Sequence, residues 1–252
     1  MNIKWDAQKY SADFSFVHQY GDAVLGLIDA EPGCSALDLG CGNGALTKAL
    51  KEKGYQAMGL DASAELLAQA RASYPDIEFM PGDATSFALP EPVDVVFSNA
   101  VFHWIERERQ PEMLRCVHRA LRRGGQFVFE FGGVGNNKLV HDALEKIFAE
   151  RGLRYEMPFY FPSVGEYAAL LEQAGFRVSF AQLFDRLTEL KGDDGLREWI
   201  RMFVRTPFRE ISSEAERESI LCAAQELLRD ALFSNGKWHA DYVRLRMKAI
   251  RL

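Results

Sequence analysis

Short apolar segments alternate with amphipathic segments along the first half of the chain. The amphipathic segments have apolar residues at a helical period, so we predict helices over about 45–53, 63–73 and 108–122. The apolar segments are nearly continuous runs, which is typical of parallel strands covered on both faces. We predict strands at 35–39, 55–60, 77–80, 93–98 and 126–131. This alternation predicts an α/β fold with a doubly wound, mostly parallel sheet.

The pattern changes after Phe131. Strict alternation at 243–249 predicts a strand with one solvated side, and 176–184 reads as another strand, which gives a seven-stranded sheet. Helices are predicted at 14–29, 137–151, 163–174, 194–204 and 212–233. No linker divides the chain, so we expect one domain over 1–252, in which 135–234 contains helical insertions that cap a pocket.

Composition narrows the class of protein. The formal net charge is −6, from 30 Lys and Arg against 36 Asp and Glu, and nucleic acid is therefore not an expected partner. No apolar run is long enough for a membrane span, and the N-terminus lacks the apolar region of a signal peptide. The four cysteines have the spacing of neither a zinc site nor a disulfide framework, so we expect reduced thiols, no metal and a cytoplasmic protein.

A glycine-rich turn follows the first strand, and an acidic residue ends the second. Glycines at a strand-to-helix turn let a ligand lie against bare backbone, at a helix N-terminus. Asp61 lies about 20 residues further on, where a carboxylate can accept hydrogen bonds from both ribose hydroxyls. Gly40, Gly42 and Ala45 also satisfy the dinucleotide-binding pattern, so these residues predict an adenosine cofactor without identifying it.

Asp38 distinguishes between the possible cofactors. It lies two residues before Gly40, at the mouth of the expected cleft. A dinucleotide would bring its pyrophosphate close to this carboxylate, and like charges repel in a partly dry cleft. S-adenosylmethionine brings an ammonium and a sulfonium, so an acid at this position favours it.

Five motifs together resemble the class I S-adenosylmethionine-dependent methyltransferases, which have a Rossmann-like fold. They are LDLGCGNG (37–44), GLDAS (59–63), GDA (82–84), VDVVFSNAVFHW (93–104) and LRRGGQFVFEF (121–131). Within that superfamily, the SNAVFHW segment, the stretch 5–20 and the long C-terminal arm resemble the group of trans-aconitate and malonyl-carrier-protein methyltransferases. The resemblance implies transfer of a methyl group to a small molecule, which a carboxylic acid would satisfy, and leaves the oligomeric state open.

The resemblance also implies roles for single residues in cofactor binding. The methionine end is expected at Asp38 and the backbone of 40–42, with Asn99 beside it; the ribose is expected at Asp61 next to Ala62. The adenine is expected at Asp83 and Ala84. Residues 1–30 are expected to form a helical lid in which Tyr10 closes over the cofactor. The predicted cofactor-binding residues are Asp38, Gly40, Cys41, Gly42, Asp61, Ala62, Asp83, Ala84, Asn99 and Tyr10.

The acceptor site is predicted just past the fourth strand. His103 is the candidate general base there for a hydroxyl, amine or carbon acceptor, whereas a carboxylate acceptor would need no base. Arg205 or Arg209 could clamp an acidic acceptor through bidentate hydrogen bonds. The remaining candidates for the acceptor pocket are His18, Tyr20, Trp104 and Tyr160.

Three other functions stay open on the sequence alone. One is a binding protein that keeps the S-adenosylmethionine pocket but has lost turnover, and another is a nicotinamide-dependent oxidoreductase. The third is a methyltransferase for RNA or protein. The chain lacks an [Asp/Asn]-Pro-Pro-[Tyr/Phe] segment after the fourth strand, where 98–101 reads SNAV, and this argues against methylation of adenine or glutamine amino groups.

Overall fold

The computed structural model describes the backbone of residues 16–252 and the side chains of residues 21–252. The helices are α1 Phe16–Leu25, α2 Ala45–Glu52, α3 Ala64–Ser73, α4 Gln110–Ala120, α5 Lys138–Glu150, α6 Val164–Gln173, α7 Gly195–Phe203, α8 Glu214–Leu227 and α9 Arg229–Leu232. The strands are β1 Ser35–Leu39, β2 Gln56–Asp61, β3 Glu78–Pro81, β4 Val93–Asn99, β5 Leu121–Gly132, β6 Phe176–Leu190, β7 Phe233–Ser234 and β8 Lys237–Arg251.

The strands form one sheet in the order β3-β2-β1-β4-β5-β8-β6. The pairs from β3 to β5 are parallel, and the central register places Leu39 beside Leu60 and Asp38 beside Phe97. The prediction of an α/β fold with a mostly parallel sheet is therefore confirmed. We predicted seven strands, and the sheet has eight. The additional strand is the two-residue β7, which pairs with β8 outside the order given above.

Three predicted helices end at least two residues earlier in the structure than predicted. The helix predicted over 14–29 ends at Leu25. The helix predicted over 108–122 ends at Ala120, and Leu121 already pairs with Val93 in the sheet. The next pair joins Val95 to Gln126, so the two glycines at 124–125 lie in a bulge of β5 rather than at the end of a helix.

The helix predicted over 212–233 is interrupted at Leu228 and followed by a hairpin. Asn235 and Gly236 both have positive φ, 53° and 74°, in the turn that joins β7 to β8. Asn-Gly is the strongest short signal for such a turn, and it was present in the sequence.

Different helices pack on the two faces of the sheet: α1 and α2 on one, and α6 on the other. On one face, Val95, Phe97 and Val128 share a buried cluster with Leu25 of α1 and Leu50 of α2. The other face carries an aromatic cluster formed by Phe102, Phe127, Phe129, Phe131 and Tyr167. Burial of apolar area on both faces is the main source of stability in such a fold, and it fixes which side chains of each strand share a face.

The chain divides into two compact units. The first contains the residues up to Phe131 together with Pro162–Leu183 and Leu245–Leu252, and the second contains Gly132–Phe161 and Phe184–Arg244. The second unit coincides with most of the predicted cap segment 135–234, while a single domain over 1–252 stays a prediction. Within residues 16–252, no helix combines the length and the apolar character that crossing a membrane requires.

Candidate functional site

The carboxyl ends of β1, β2 and β4 lie side by side in the first unit. The strand β1 pairs with both of the others, and the order of strands along the chain reverses at this point. In open α/β sheets, ligands bind in the crevice outside the carboxyl ends of the strands at such a reversal. The glycine-rich turn and the acidic residues predicted from the sequence therefore meet at the expected place.

The structure gives a different reason for the glycine at each of three positions in the turn after β1. All have positive φ: 79° at Gly40, 55° at Gly42 and 83° at Gly44. A Cβ at Gly40 would lie 2.3 Å from Val101 Cγ2, and one at Gly44 would lie 2.7 Å from the ring of Phe79. At Gly42 the nearest atom, on the Leu66 side chain, would be 3.9 Å away. Of the three, Gly42 is thus the position at which the described residues leave space beside the backbone.

Asp61 ties the end of β2 to the glycine turn. Its Oδ2 accepts the Gly42 N–H at 2.8 Å, and its Oδ1 accepts the Ser63 N–H at 2.8 Å. Burial raises the pKa of Asp61, although the hydrogen bonds from Ser63 and Gly42 oppose the rise. Together with a backbone hydrogen bond from Ala62, these bonds fix the orientation of the carboxylate, and its roughly four lone-pair sites leave capacity for a ligand.

Asp38 is buried on β1 and is only 2 % exposed. Its Oδ2 accepts a hydrogen bond from Thr47 Oγ1 of α2 at 2.7 Å. Burial, with a smaller contribution from the charge of Asp61, raises the pKa of Asp38 to about 7 against the hydrogen bond from Thr47. A cationic ligand beside Asp38 would favour its charged form and so offset the effect of burial, whereas a phosphate would disfavour that form further.

Cys41 lies between the two glycines and is buried. Burial raises the pKa of the Cys41 thiol, and the charges of Asp38 and Asp61 raise it further. The thiol therefore stays protonated. The backbone N–H of Cys41 donates to Leu60 O at 3.1 Å. Its predicted contact with the cofactor stays a prediction.

Asp83 forms the turn after β3. Its Oδ1 accepts hydrogen bonds from Thr85 N–H at 2.8 Å and from Thr85 Oγ1 at 2.6 Å. Burial would raise the pKa of Asp83, but the two bonds from Thr85 and the charge of Arg109 lower it below its usual value. Asp83 is exposed and Ala84 is half-buried, so both predicted adenine contacts lie at the surface of this edge.

A strained residue follows the end of β4. Asn99 is buried there, and Ala100 has a φ of 62°, which is uncommon for a residue other than glycine. The Ala100 N–H donates to Glu130 O of β5 at 2.7 Å and holds the strained turn. Strain of this kind clusters at functional sites, and no feature of the sequence marks this alanine.

The segment after the strained turn carries His103 and Trp104 in a short 3-10 helix, Phe102–Trp104. The His103 ring lies parallel to the Phe131 ring at 6.4 Å between centroids, and 5.4 Å from the Trp104 ring. Both side chains are half-buried. The ring of Phe102 is buried in the aromatic cluster and anchors the segment from below.

Gln110 and Tyr167 hold this segment, and neither was predicted from the sequence. Gln110 Nε2 donates to Phe102 O and to Ile105 O, each at 2.9 Å. Tyr167 Oη donates in turn to Gln110 Oε1 at 3.0 Å. Because both supporting side chains are fully buried, His103 is presented from a rigid turn.

The other predicted residues lie outside the described side chains or in the second unit. Tyr10 lies outside the described residues, and His18 and Tyr20 lie on α1, where only the backbone is described. Tyr160 and Arg205 belong to the second unit, in which Arg205 Nε donates to Met202 O at 3.0 Å. The assignment of these residues stays a prediction.

A buried ion pair between Glu130 and Arg246 was also missed. Arg246 Nε donates to Glu130 Oε2 at 2.8 Å, and Nη2 lies 2.7 Å from the same oxygen. The sequence did carry a signal, because Glu130 is the single charge within the apolar run 127–131. A charge in a buried strand is expected to be paired.

The chain matches known proteins over nearly its full length. A family model described as "Methyltransferase domain" matches residues 37–129. An uncharacterized methyltransferase of Schizosaccharomyces pombe is 34% identical over 97% of both chains. A trans-aconitate 2-methyltransferase of Azoarcus sp. is 30% identical over 98% of this chain and 99% of its own. Among solved structures, one titled a putative methyltransferase, from Bacillus halodurans, has a TM-score of 0.66 at 17% identity and covers 91% of this chain and 97% of its own.

Proposed function

This chain belongs to the S-adenosylmethionine-dependent methyltransferases, and we propose that its methyl acceptor is a small carboxylic acid. The observation that carries the proposal is the similarity to a trans-aconitate 2-methyltransferase, which extends over 98% of this chain and includes its C-terminal half. The family model alone covers only 37–129, where the predicted cofactor-binding residues after Tyr10 lie. A match that continues through the rest of the chain supports a related acceptor.

The residues at the strand edge fit S-adenosylmethionine. No atom of the described residues lies closer than 3.9 Å to a Cβ position at Gly42, so the bare backbone there can approach a ligand closely. Asp38 supplies an acidic group that suits the ammonium and would repel a pyrophosphate, and Asp61 supplies one that suits the ribose hydroxyls. We therefore assign the methionine end to Asp38 and the backbone at Gly42, and the ribose to Asp61.

S-adenosylmethionine supplies the methyl group in an activated, sulfonium-bound form. The protein must align the acceptor atom with this methyl group and exclude water, because the reaction is an in-line displacement. A carboxylate acceptor already carries its nucleophilic electron pair and needs no base. In this proposal His103 and Trp104, on their rigid turn, orient the acceptor instead of removing a proton.

Methyl incorporation tests the proposed acceptor class. Purified protein is incubated with S-adenosylmethionine labelled in its methyl group and a panel of small carboxylic acids that includes trans-aconitate. Each acid has its neutral amide as a matched control. We expect label in a base-labile methyl ester of at least one acid and none from its amide. Label that appears only in amines, hydroxyls or carbon acids would contradict the proposal.

The affinity for S-adenosylmethionine is expected to fall as the pH drops through about 7. A cationic ligand binds the carboxylate form of Asp38, and the pKa of Asp38 before binding is about 7. Below that pKa each pH unit should weaken binding by up to about tenfold. Titration calorimetry between pH 5.5 and 7.5 measures the effect, because an α-amino group, with a pKa near 7.7–8.0, stays mostly charged in that range.

Asp38→Asn is the matched variant for this pH dependence. It keeps an oxygen that can accept from Thr47 but carries no charge, so binding should be weak and independent of pH over the same range. If the affinity of the variant for S-adenosylmethionine changes with pH as in the native protein, a group other than Asp38 is responsible for the pH dependence.

His103→Ala is expected to raise the Michaelis constant for the acceptor by about tenfold, a loss of roughly 1.4 kcal/mol of binding. The maximal rate and its pH profile should change little, because no proton is transferred by the imidazole when the acceptor is a carboxylate. Steady-state kinetics at several pH values measure both constants. A maximal rate lowered by about 10²–10⁴-fold, together with loss of a rate dependence near pH 6.5, would identify His103 as a general base instead.

A further inference from the structure

One side-chain contact joins the turn after β3 to the residues that lead into α4. Arg109 Nη2 donates to Thr85 Oγ1, and Thr85 donates twice to Asp83 Oδ1, from Oγ1 at 2.6 Å and from its N–H at 2.8 Å. Arg109 ends a second short 3-10 helix, Arg107–Arg109, directly before α4. We call Arg109, Thr85 and Asp83 the hydrogen-bond chain.

The guanidinium of Arg109 sets the direction of the hydrogen-bond chain. A guanidinium can only donate hydrogen bonds, whereas a hydroxyl both donates and accepts. Thr85 Oγ1 therefore accepts from Arg109 and turns its single hydrogen toward Asp83 Oδ1. Thr85 is 7 % exposed, so little water competes for its hydroxyl. The hydroxyl is thus fixed as an acceptor on one side and as a donor on the other.

Arg109 is itself held in place. Its Nε donates to Glu112 Oε2 at 3.3 Å, while its Nη2 donates to Thr85. Gln110, the next residue, is fully buried and donates to two backbone oxygens of the preceding turn, so the backbone beside Arg109 is anchored. The guanidinium is therefore a fixed donor for the turn after β3.

The two carboxylate oxygens of Asp83 are in different situations. Oδ1 accepts both bonds from Thr85, whereas no residue in the described part of the chain donates to Oδ2. Burial would raise the pKa of Asp83, but the bonds from Thr85 and the charge of Arg109 lower it, so the carboxyl is ionised at neutral pH. An ionised acceptor makes a stronger hydrogen bond than a neutral one. Oδ2 is therefore a well-oriented acceptor for a ligand N–H group.

We propose that Arg109 is a positioning residue for the cofactor: acting through Thr85, it holds Asp83 so that Oδ2 accepts a hydrogen bond from the 6-amino group of adenine. The inference rests on S-adenosylmethionine as the cofactor and on the predicted assignment of adenine to Asp83, and it does not depend on the acceptor. Arg109 itself needs no contact with the cofactor. Its effect is expected in the selectivity for the amino group, which a general loss of stability would not change.

Two related ligands distinguish this role from a structural one. The probes are S-adenosylhomocysteine and its deamino analogue, in which hydrogen replaces the 6-amino group of adenine. Titration calorimetry with the full chain measures both dissociation constants, and we call their ratio the amino preference. Native protein should bind S-adenosylhomocysteine at least about tenfold more tightly than the analogue, because the analogue leaves Asp83 Oδ2 without a donor.

Two variants interrupt the hydrogen-bond chain at different links. Arg109→Met removes every donor of the side chain, and Thr85→Val removes the hydroxyl but keeps the volume and the backbone N–H to Asp83. Each should reduce the amino preference to about threefold or less and leave the affinity for the deamino analogue unchanged. Arg109→Lys keeps a cationic donor and should restore part of the preference.

Arg107→Met is the matched control. It removes the same charge from the same 3-10 helix, where Arg107 pairs with Glu166 of α6 at 2.6 Å. Both dissociation constants should stay at their native values. Asp83→Ala removes the end of the hydrogen-bond chain and should abolish the amino preference. Adding Arg109→Met to Asp83→Ala should then change the preference no further, because the two residues act on the same interaction.

The ways in which the inference can fail are distinguishable. An Arg109→Met variant that keeps the amino preference, or that loses affinity for both probes equally, would overturn the positioning role. Native protein without an amino preference, or an Asp83→Ala variant that keeps it, would overturn the assignment of adenine to Asp83 as well. None of these results bears on the carboxylic acid acceptor, which methyl incorporation tests separately.

Discussion

Replacement of Gly42 by valine is expected to abolish detectable binding of S-adenosylmethionine, which corresponds to a loss of about 100-fold or more in affinity, roughly 2.7 kcal/mol. The valine side chain would project into the space beside the backbone that we assign to the methionine end, because the nearest atom of the described residues is 3.9 Å from a Cβ there. Calorimetric titration with S-adenosylmethionine gives the affinity.

The control for this variant must carry the same backbone strain. Gly42 has a φ of 55°, where a β-branched residue costs about 1–3 kcal/mol of stability whatever surrounds it. Gly33 has a φ of 94° and also has open space around its Cβ position, but it precedes β1 at the opposite end of the strand. Gly33→Val should lower the melting temperature similarly and keep full affinity. Equal affinities in the two variants would show that Gly42 only forms the turn.

Gly40 is a less informative position than the sequence suggests. A Cβ there would collide with Val101, which begins the segment that carries His103. Gly40→Val would therefore displace this segment as well as any ligand, and a loss of binding could not be assigned to the ligand contact. The requirement for glycine at position 40 comes from packing within the protein.

Asp61→Ala is expected to weaken the binding of S-adenosylmethionine by about 1–3 kcal/mol, or roughly 5- to 150-fold. The variant removes the carboxylate that we assign to the ribose hydroxyls. It also removes the acceptor of the Gly42 and Ser63 N–H groups, so the glycine turn loses the side chain that fixes it. Calorimetry gives the dissociation constant, and thermal unfolding gives the loss of stability.

Two further variants separate these effects. Asp61→Asn keeps one oxygen acceptor at the same place, so it should recover part of the stability but little of the affinity. Asp76→Ala removes an exposed aspartate paired with Lys51, away from the carboxyl ends of the strands, and should bind S-adenosylmethionine normally. A dissociation constant for Asp61→Ala within twofold of the native value would remove Asp61 from the cofactor site.

The local pattern was sufficient for most elements of the first unit. Each strand from β1 to β4 was predicted within one residue of its bounds, because an apolar run that is buried on both faces of a parallel sheet is recognisable without knowledge of its neighbours. The start of β5 at Leu121 was not predicted, since it depends on pairing with Val93 across the sheet. A bulge is defined by two strands, and neither strand specifies it alone.

The sequence by itself determined the class of fold and the cofactor, and it predicted the edge of the sheet at which the cofactor binds. It could do so because Asp38, the glycine turn and Asp61 are close along the chain, and a strand-turn-helix unit converts that spacing directly into geometry. The sequence also carried the full-length similarity from which the family follows.

Only the tertiary structure decided how that edge is supported. Gln110 and Tyr167 meet His103's turn from α4 and α6, and Arg246 reaches Glu130 across 116 residues of chain. It also showed that Val101 and Phe79 occupy the space at Gly40 and Gly44, whereas no described residue does so at Gly42. These contacts join residues far apart along the chain, and their geometry depends on sheet order and strand register, which no local pattern encodes.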